Sequence, residues 1–128
     1  AGLRVHLRLR NAYDLGLYRV LDGDDVLLLG VYLLQRGVEG GVMVMAINLE
    51  DKQKQITVQG PVDQYQLSAT ELQSRSVLLN GKPLALGPDD SVPPTPPVRQ
   101  NGGSVTLAPV SINFLGLRTA NNPACKAQ

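Results

Sequence analysis

Tryptophan is absent from these 128 residues, and phenylalanine occurs once, at Phe114. Rings supply much of the buried area in most cores, so any interior here has to be filled by leucine and valine. A single cysteine, Cys125, excludes an intrachain disulfide and a cysteine-based zinc cage. A single histidine, His6, lacks the partners that a metal site or a catalytic triad needs. No Asn-x-Ser/Thr sequon and no secretory apolar segment is present. No apolar run approaches the roughly 18 residues of a membrane helix, and the nearest, residues 26–34, reads as a buried strand. A net charge of +1 gives no broad positive field for a nucleic acid. The start at Ala1, without Met, reads as a processed product or as an excised or trimmed domain.

What is present is a strand pattern. Apolar and polar residues alternate along residues 3–10, with Leu3, Val5, Leu7 and Leu9 on one face and Arg4, His6, Arg8 and Arg10 on the other. Residues 17–21, the turn Asp22-Gly23-Asp24-Asp25 and residues 26–34 read as strand, turn, strand. Residues 42–49 form a near-continuous apolar run, expected of a strand buried on both sides. Two shorter strands are expected at residues 55–59 and 63–68, and two more at 104–108 and 111–117. Between them, Asn80-Gly81 is the strongest short-range hairpin signal, because a type I′ turn needs φ > 0 at both central residues. Residues 87–103 hold Pro88, Pro93, Pro94, Pro96 and Pro97 and are expected to be neither ladder nor helix but an ordered or polyproline-like loop. Residues 120–128 read as a polar tail. Many short strands separated by turn signals predict one all-β domain over residues 1–128, an antiparallel two-sheet β-sandwich of about eight to ten strands.

The segment Ser74-Arg75-Ser76-Val77-Leu78-Leu79-Asn80-Gly81-Lys82-Pro83-Leu84 resembles the Ser-basic-Ser-Val-x-Leu-Asn-Gly-x-x-Leu hairpin in the C-terminal β-domain of heparanase-like proteins, glycoside hydrolase family 79. The likeness extends in order to Ala46-Ile47-Asn48-Leu49, Val62-Asp63-Gln64-Tyr65-Gln66-Leu67, Asp89-Asp90, Val92-Pro93-Pro94, Leu107-Ala108-Pro109-Val110-Ser111-Ile112-Asn113-Phe114 and the terminal Ala124-Cys125. Residues 4–11 are similar to the family's opening strand of that domain. The resemblance implies a non-catalytic β-sandwich that stabilises a (β/α)8 barrel, in the same chain or a processed companion chain. The parent would be a secreted or lysosomal retaining endo-β-glucuronidase acting on a glycosaminoglycan-type polysaccharide such as heparan sulfate of the extracellular matrix.

Three departures bear on that expectation. The family's opening-strand cysteine, which pairs with the one near the C-terminus, is replaced by Leu9, so Cys125 has no such partner. Residues 12–39 are longer than the family's link and read as an insertion that the resemblance leaves unexplained. The barrel takes about 250 residues, so this chain cannot contain it.

Candidate chemistry follows from the residues themselves. Retaining glycosidases use two carboxylates about 5–5.5 Å apart; Glu39, Glu50 and Glu71 sit in turns or between strands, in no motif like the family's, and no catalytic residue is assigned. The Arg4, His6, Arg8 and Arg10 face forms a cationic ladder with a spacing of about 7 Å, suited to sulfates or carboxylates along a glycan. The plainer reading is a solvated sheet face that discourages edge association. Asp22-Gly23-Asp24-Asp25 lacks the spacing and terminal glutamate of a calcium loop and reads as a turn. Pro94-Thr95-Pro96-Pro97 falls near the PxxP type, with a structural loop as the plainer reading. Gly40-Gly41 and Gly102-Gly103 read as turn glycines, and Cys125 as an inert tail thiol, with a reactive thiol or an interchain disulfide partner as the alternatives. No cofactor or metal is expected. Val26, Leu28, Val31 and Leu33 are the expected contact with the barrel, exposed and prone to self-association if the domain stands alone. The rival expectation is a stand-alone, non-enzymatic glycan-binding or structural protein derived from that domain.

Overall fold

A computed structural model describes residues 3–4, 17–22, 25–32, 38–58 and 60–121, the first three segments as backbone. Eleven strands run through them: β1 (Leu3–Arg4), β2 (Leu17–Asp22), β3 (Asp25–Tyr32), β4 (Val42–Asn48), β5 (Lys54–Val58), β6 (Val62–Ser68), β7 (Leu78–Leu79), β8 (Lys82–Pro83), β9 (Val98–Gln100), β10 (Gly103–Leu107) and β11 (Ser111–Leu117). The only helical piece among the described residues is a 3-10 turn at Pro88–Asp90. The fold is therefore the all-β sandwich that the alternation predicts.

The large sheet has the order β2-β3-β4-β11-β6-β7-β8, with β9 also paired to β6. The small sheet has the order β1-β5-β10. All pairings are antiparallel except that of β1 with β5, which is parallel. The C-terminal strand β11 lies between β4 and β6, paired over seven residues with each. Residues 17–22 and 25–32, inside the expected insertion, pair as two antiparallel strands that extend the large sheet beyond β4.

The core sits where the sheets face each other. Val42, Val44 and Ala46 of β4, Val62 of β6 and Leu115 of β11 meet Ile56 of β5 and Val105 and Leu107 of β10, all at most 3% exposed. Short aliphatic side chains fill this space, as the lack of rings requires. Burial along β4 strictly alternates, however, so the expectation of a strand buried on both sides does not hold: Met43, Met45 and Ile47 are half-buried.

Two pairs of connections cross between the sheets, and each pair touches. At one end the β4–β5 turn meets the β10–β11 turn, where the Val110 amide donates to the Glu50 carbonyl at 3.0 Å. Val110 takes φ 49° there, a left-handed conformation that a β-branched residue rarely adopts. At the other end the β5–β6 and β9–β10 turns cross backbone to backbone. Gly102, at φ 98°, lies so close to the Gly60 carbonyl that a Cβ would collide with it.

The Pro-rich stretch differs from expectation at both ends. Its five prolines keep residues 91–97 out of the ladder, but Pro88 opens the 3-10 turn, where a fixed φ and a missing amide are harmless. Val98, the first residue after Pro97, has a free amide again and begins β9.

Candidate docking face and the polar seam beneath it

The inward side of the large sheet is unusually polar. Asn48 and Asn113 are fully buried, and Gln64 and Ser111 nearly so. Their hydrogen bonds form one chain. Gln64 Nε2 donates to Asn113 Oδ1 at 3.1 Å and across to the Thr106 carbonyl of the small sheet at 3.0 Å. Asn113 Nδ2 donates to Ser111 Oγ at 2.9 Å and to the Ala46 carbonyl at 3.3 Å. Ser111 Oγ donates to the Ala108 carbonyl at 2.6 Å, and Asn48 Nδ2 reaches the same oxygen at 3.0 Å and the Lys52 carbonyl at 2.9 Å. Gln100 Nε2 closes the seam on Gln64 Oε1. The amides of Asn48, Gln64 and Asn113 each use both hydrogens, which is the condition for such groups to be buried without large cost. The seam is neutral and saturated, so it ties the sheets together and offers no acid, base or nucleophile.

The outward side of the same sheet is apolar. Register aligns Ile47 of β4, Ile112 of β11, Leu67 of β6 and Leu79 of β7 in one cross-strand row. The next row holds Met45, Phe114 and Tyr65. Ile112 is 38% exposed and the other six are half-buried. A third row runs Met43, Gly116, Asp63, Arg99 and ends the face in charge. Asp63, 4% exposed, accepts from Arg118 Nη1 at 3.0 Å, and Arg99 Nε stands 3.5 Å from its other oxygen. Two guanidiniums against one carboxylate leave a single positive charge at this rim.

The small sheet presents the opposite chemistry. Gln55, Thr57, Ser104 and Thr106 line its outward side, all exposed. β1 places Arg4 in the row of Thr57 and Ser104, while Leu3 falls in the row of buried Ile56.

The expected site residues are thus dispersed. Arg4 lies at the outward row of the small sheet, whereas His6, Arg8, Arg10, Leu33 and Cys125 fall outside the described residues. Leu28 takes the row of Ile47, and by the strand's alternation Val26 shares its side, but Val31 is opposite buried Val44. Asp22 and Asp25 form the last rung of the β2–β3 ladder. Of the three glutamates, Glu39 and Glu71 are exposed and Glu50 lies 2.5 Å from Lys54 Nζ. No cluster of three or more His, Cys, Asp or Glu capable of holding a metal occurs among the described residues. The sequence marks residues 42–49 as apolar on both sides, but it does not show that Ile112 and Phe114 of β11 and Leu67 and Tyr65 of β6 continue the outward rows. Nor does it show the Asp63–Arg99–Arg118 rim, which no local pattern announces.

The Asn80-Gly81 turn is as expected, with φ 50° and 81°. Beyond turning the chain, Asn80 is bound to β6 and to the Pro-rich loop. Its amide donates to the Gln66 carbonyl at 2.8 Å, its Oδ1 accepts from the Gln66 amide at 2.8 Å, and its Nδ2 donates to the Pro96 carbonyl at 3.0 Å.

No family model matches the chain. Among known proteins it is similar to inactive heparanase-2 of Mus musculus and of Homo sapiens, 32% identical to each over 98 residues, which is 70% of this chain and 17% of theirs. It is also similar to heparanase-like protein 2 of Arabidopsis thaliana, 41% identical over 66 residues, 49% of this chain and 12% of that protein. The chain therefore spans less than a fifth of the length of the curated relatives it matches. These partial likenesses support a heparanase-related origin.

Proposed function

We propose that the chain is the non-catalytic C-terminal β-sandwich of a heparanase-like, family 79 retaining endo-β-glucuronidase, and that it stabilises a (β/α)8 barrel carried elsewhere in the same or a processed companion polypeptide. The observation that supports this reading is the second apolar side of the large sheet: its inward side already holds Val42, Val44, Ala46, Val62 and Leu115 beside the polar seam, and its outward side is apolar as well. A sheet of a self-sufficient sandwich hides its apolar side and wets its polar one. Here Ile47, Ile112, Leu67, Leu79, Met45, Phe114 and Tyr65 form a cross-strand apolar surface of the kind that marks a protein interface. The relatives' unmatched length leaves ample room for a barrel of about 250 residues. Both catalytic glutamates belong to that barrel, and Glu39, Glu50 and Glu71 take no part in hydrolysis. The whole protein acts on a glycosaminoglycan-type polysaccharide in a secreted or lysosomal setting, and the name of two relatives, inactive heparanase-2, accords with a domain that need not hydrolyse anything.

Co-expression of the chain with the barrel encoded upstream of it tests the reading. A one-to-one complex is expected on size exclusion, lost in Ile112→Asp and kept in Thr57→Asp. Absence of an upstream barrel, or a complex indifferent to Ile112→Asp, would overturn it.

A second reading rests on the small sheet, whose outward rows set Arg4 beside Thr57 and Ser104. Arginine among exposed hydroxyls suits contact with an anionic glycan, in the parent enzyme or in a stand-alone binding protein. Retention on immobilised heparin, weakened by Arg4→Ala together with Arg8→Ala and Arg10→Ala, is the expected result. Passage through the column at low salt would eliminate it.

A further inference from the structure

The chain contains two Asn-Gly pairs, Asn80-Gly81 and Asn101-Gly102. Such a pair carries a latent reaction, because glycine has no Cβ to shield its amide nitrogen. That nitrogen attacks the asparagine Cγ, ammonia leaves, and the resulting succinimide takes up water to give aspartate or isoaspartate. The reaction needs the side-chain amide free to swing onto the following nitrogen.

The two pairs differ in that freedom. At Asn80 both ends of the amide are held, Oδ1 by the Gln66 amide at 2.8 Å and Nδ2 by the Pro96 carbonyl at 3.0 Å. The Asn80 amide is fixed too, on the Gln66 carbonyl at 2.8 Å. Asn101 is exposed, and among the described residues its side chain has no hydrogen-bond partner.

Position gives the difference a consequence. Along the edge of β6 that faces away from β11, β7 pairs with Leu67 and Ser68 and β9 pairs with Val62, Asp63 and Gln64. Gln66 falls in the gap between them, and both of its backbone groups go to Asn80. Asn80 is the patch that seals this gap, and its bond to Pro96 ties the patch to the loop leading into β9.

We propose that Asn80-Gly81 is a guarded deamidation site whose hydrolysis unseals the β6 edge at Gln66. Aspartate at this position still accepts from the Gln66 amide but has no hydrogen for Pro96. Isoaspartate adds a carbon to the main chain and shifts the amide off the Gln66 carbonyl as well. A buried or half-sealed strand edge opened in this way becomes a template for another strand.

The test is a timed incubation of the intact chain at mildly alkaline pH, in buffer and in urea. Tryptic cleavage after Arg75, Arg99 and Arg118 places the two pairs on separate peptides for mass spectrometry. In urea both are expected to convert at similar rates. In buffer Asn101, whose side chain is free, is expected to stay the faster site even though Gly102 packs on Gly60, while Asn80 slows at least ~tenfold relative to urea, since reaction has to await local opening. Equal rates at the two sites in buffer, or no conversion of Asn80 in urea, would overturn the proposal. Amide hydrogen exchange then reads the edge. Gln66 is expected to exchange faster in the chain refolded after ageing than in fresh protein, and to stay protected in Asn80→Asp, which keeps the acceptor. Unchanged exchange in the aged chain, or lost protection in Asn80→Asp, would refute the role assigned to the patch.

Discussion

The two sheets solve the same problem in opposite ways. In the small sheet, β5 and β10 alternate, with Lys54, Ile56, Val105 and Leu107 inward and Gln55, Thr57, Ser104 and Thr106 outward. In the large sheet, β4 and β11 put Asn48, Ser111 and Asn113 inward beside Val44 and Leu115, and Met45, Ile47, Ile112 and Phe114 outward. The first turns hydrophilic side chains to water. The second fills its inward side with apolar residues and an amide seam together, and leaves a second apolar side for another surface. A sandwich built this way is half a finished domain and half an interface.

Substitutions that break this contrast have graded effects. The largest is expected where the sheets share their apolar layer. Leu107 is fully buried, and Leu107→Ala should cost about 3 kcal/mol in urea unfolding, from lost transfer energy and the cavity left behind. Next comes the seam. Asn113→Ala removes the acceptor of Gln64 and the donor to Ser111 and Ala46, and stranding those buried groups should cost about 2 kcal/mol by the same measurement. A cost near zero would mean that water replaces the amide.

The outward sides sharpen the comparison further. Ile112→Asp should change the stability of the isolated chain by less than about 1 kcal/mol while raising its solubility and suppressing self-association in sedimentation. Thr57→Asp on the small sheet should alter neither. The smallest effect belongs to Arg99, which is 72% exposed in its pairing with Asp63. Solvent screening should hold Arg99→Ala to about 0.5 kcal/mol or less in thermal unfolding, with Arg118 retaining Asp63.

Much of the fold was legible because a period of two survives in single residues. Residues 111–117 form the strand expected of them, and the Asn80-Gly81 turn has the two positive φ values that its residue types favour. What alternation cannot decide is which side of a two-sided apolar strand turns inward. In β4, Val, Ala and Asn point in while Met and Ile point out, an order no hydrophobicity rule predicts. The placement of β11 between β4 and β6 depends on contacts some fifty residues apart in sequence, such as Gln64 with Asn113. Proline density across residues 87–103 hides the three residues, Val98–Gln100, that follow the last proline and have amides to give to a ladder. The Asp63–Arg99–Arg118 rim likewise joins β6, β9 and the residue after β11, and only the folded register brings them together.

The paired crossovers at Glu50–Val110 and Gly60–Gly102 carry a mechanical implication. Each end of the β5–β10 pair is strapped by two connections that lean on one another, so neither strand has a loose end from which to peel. The pair can leave the large sheet only as a whole, and its amides should share a single exchange rate under native conditions rather than fray in order.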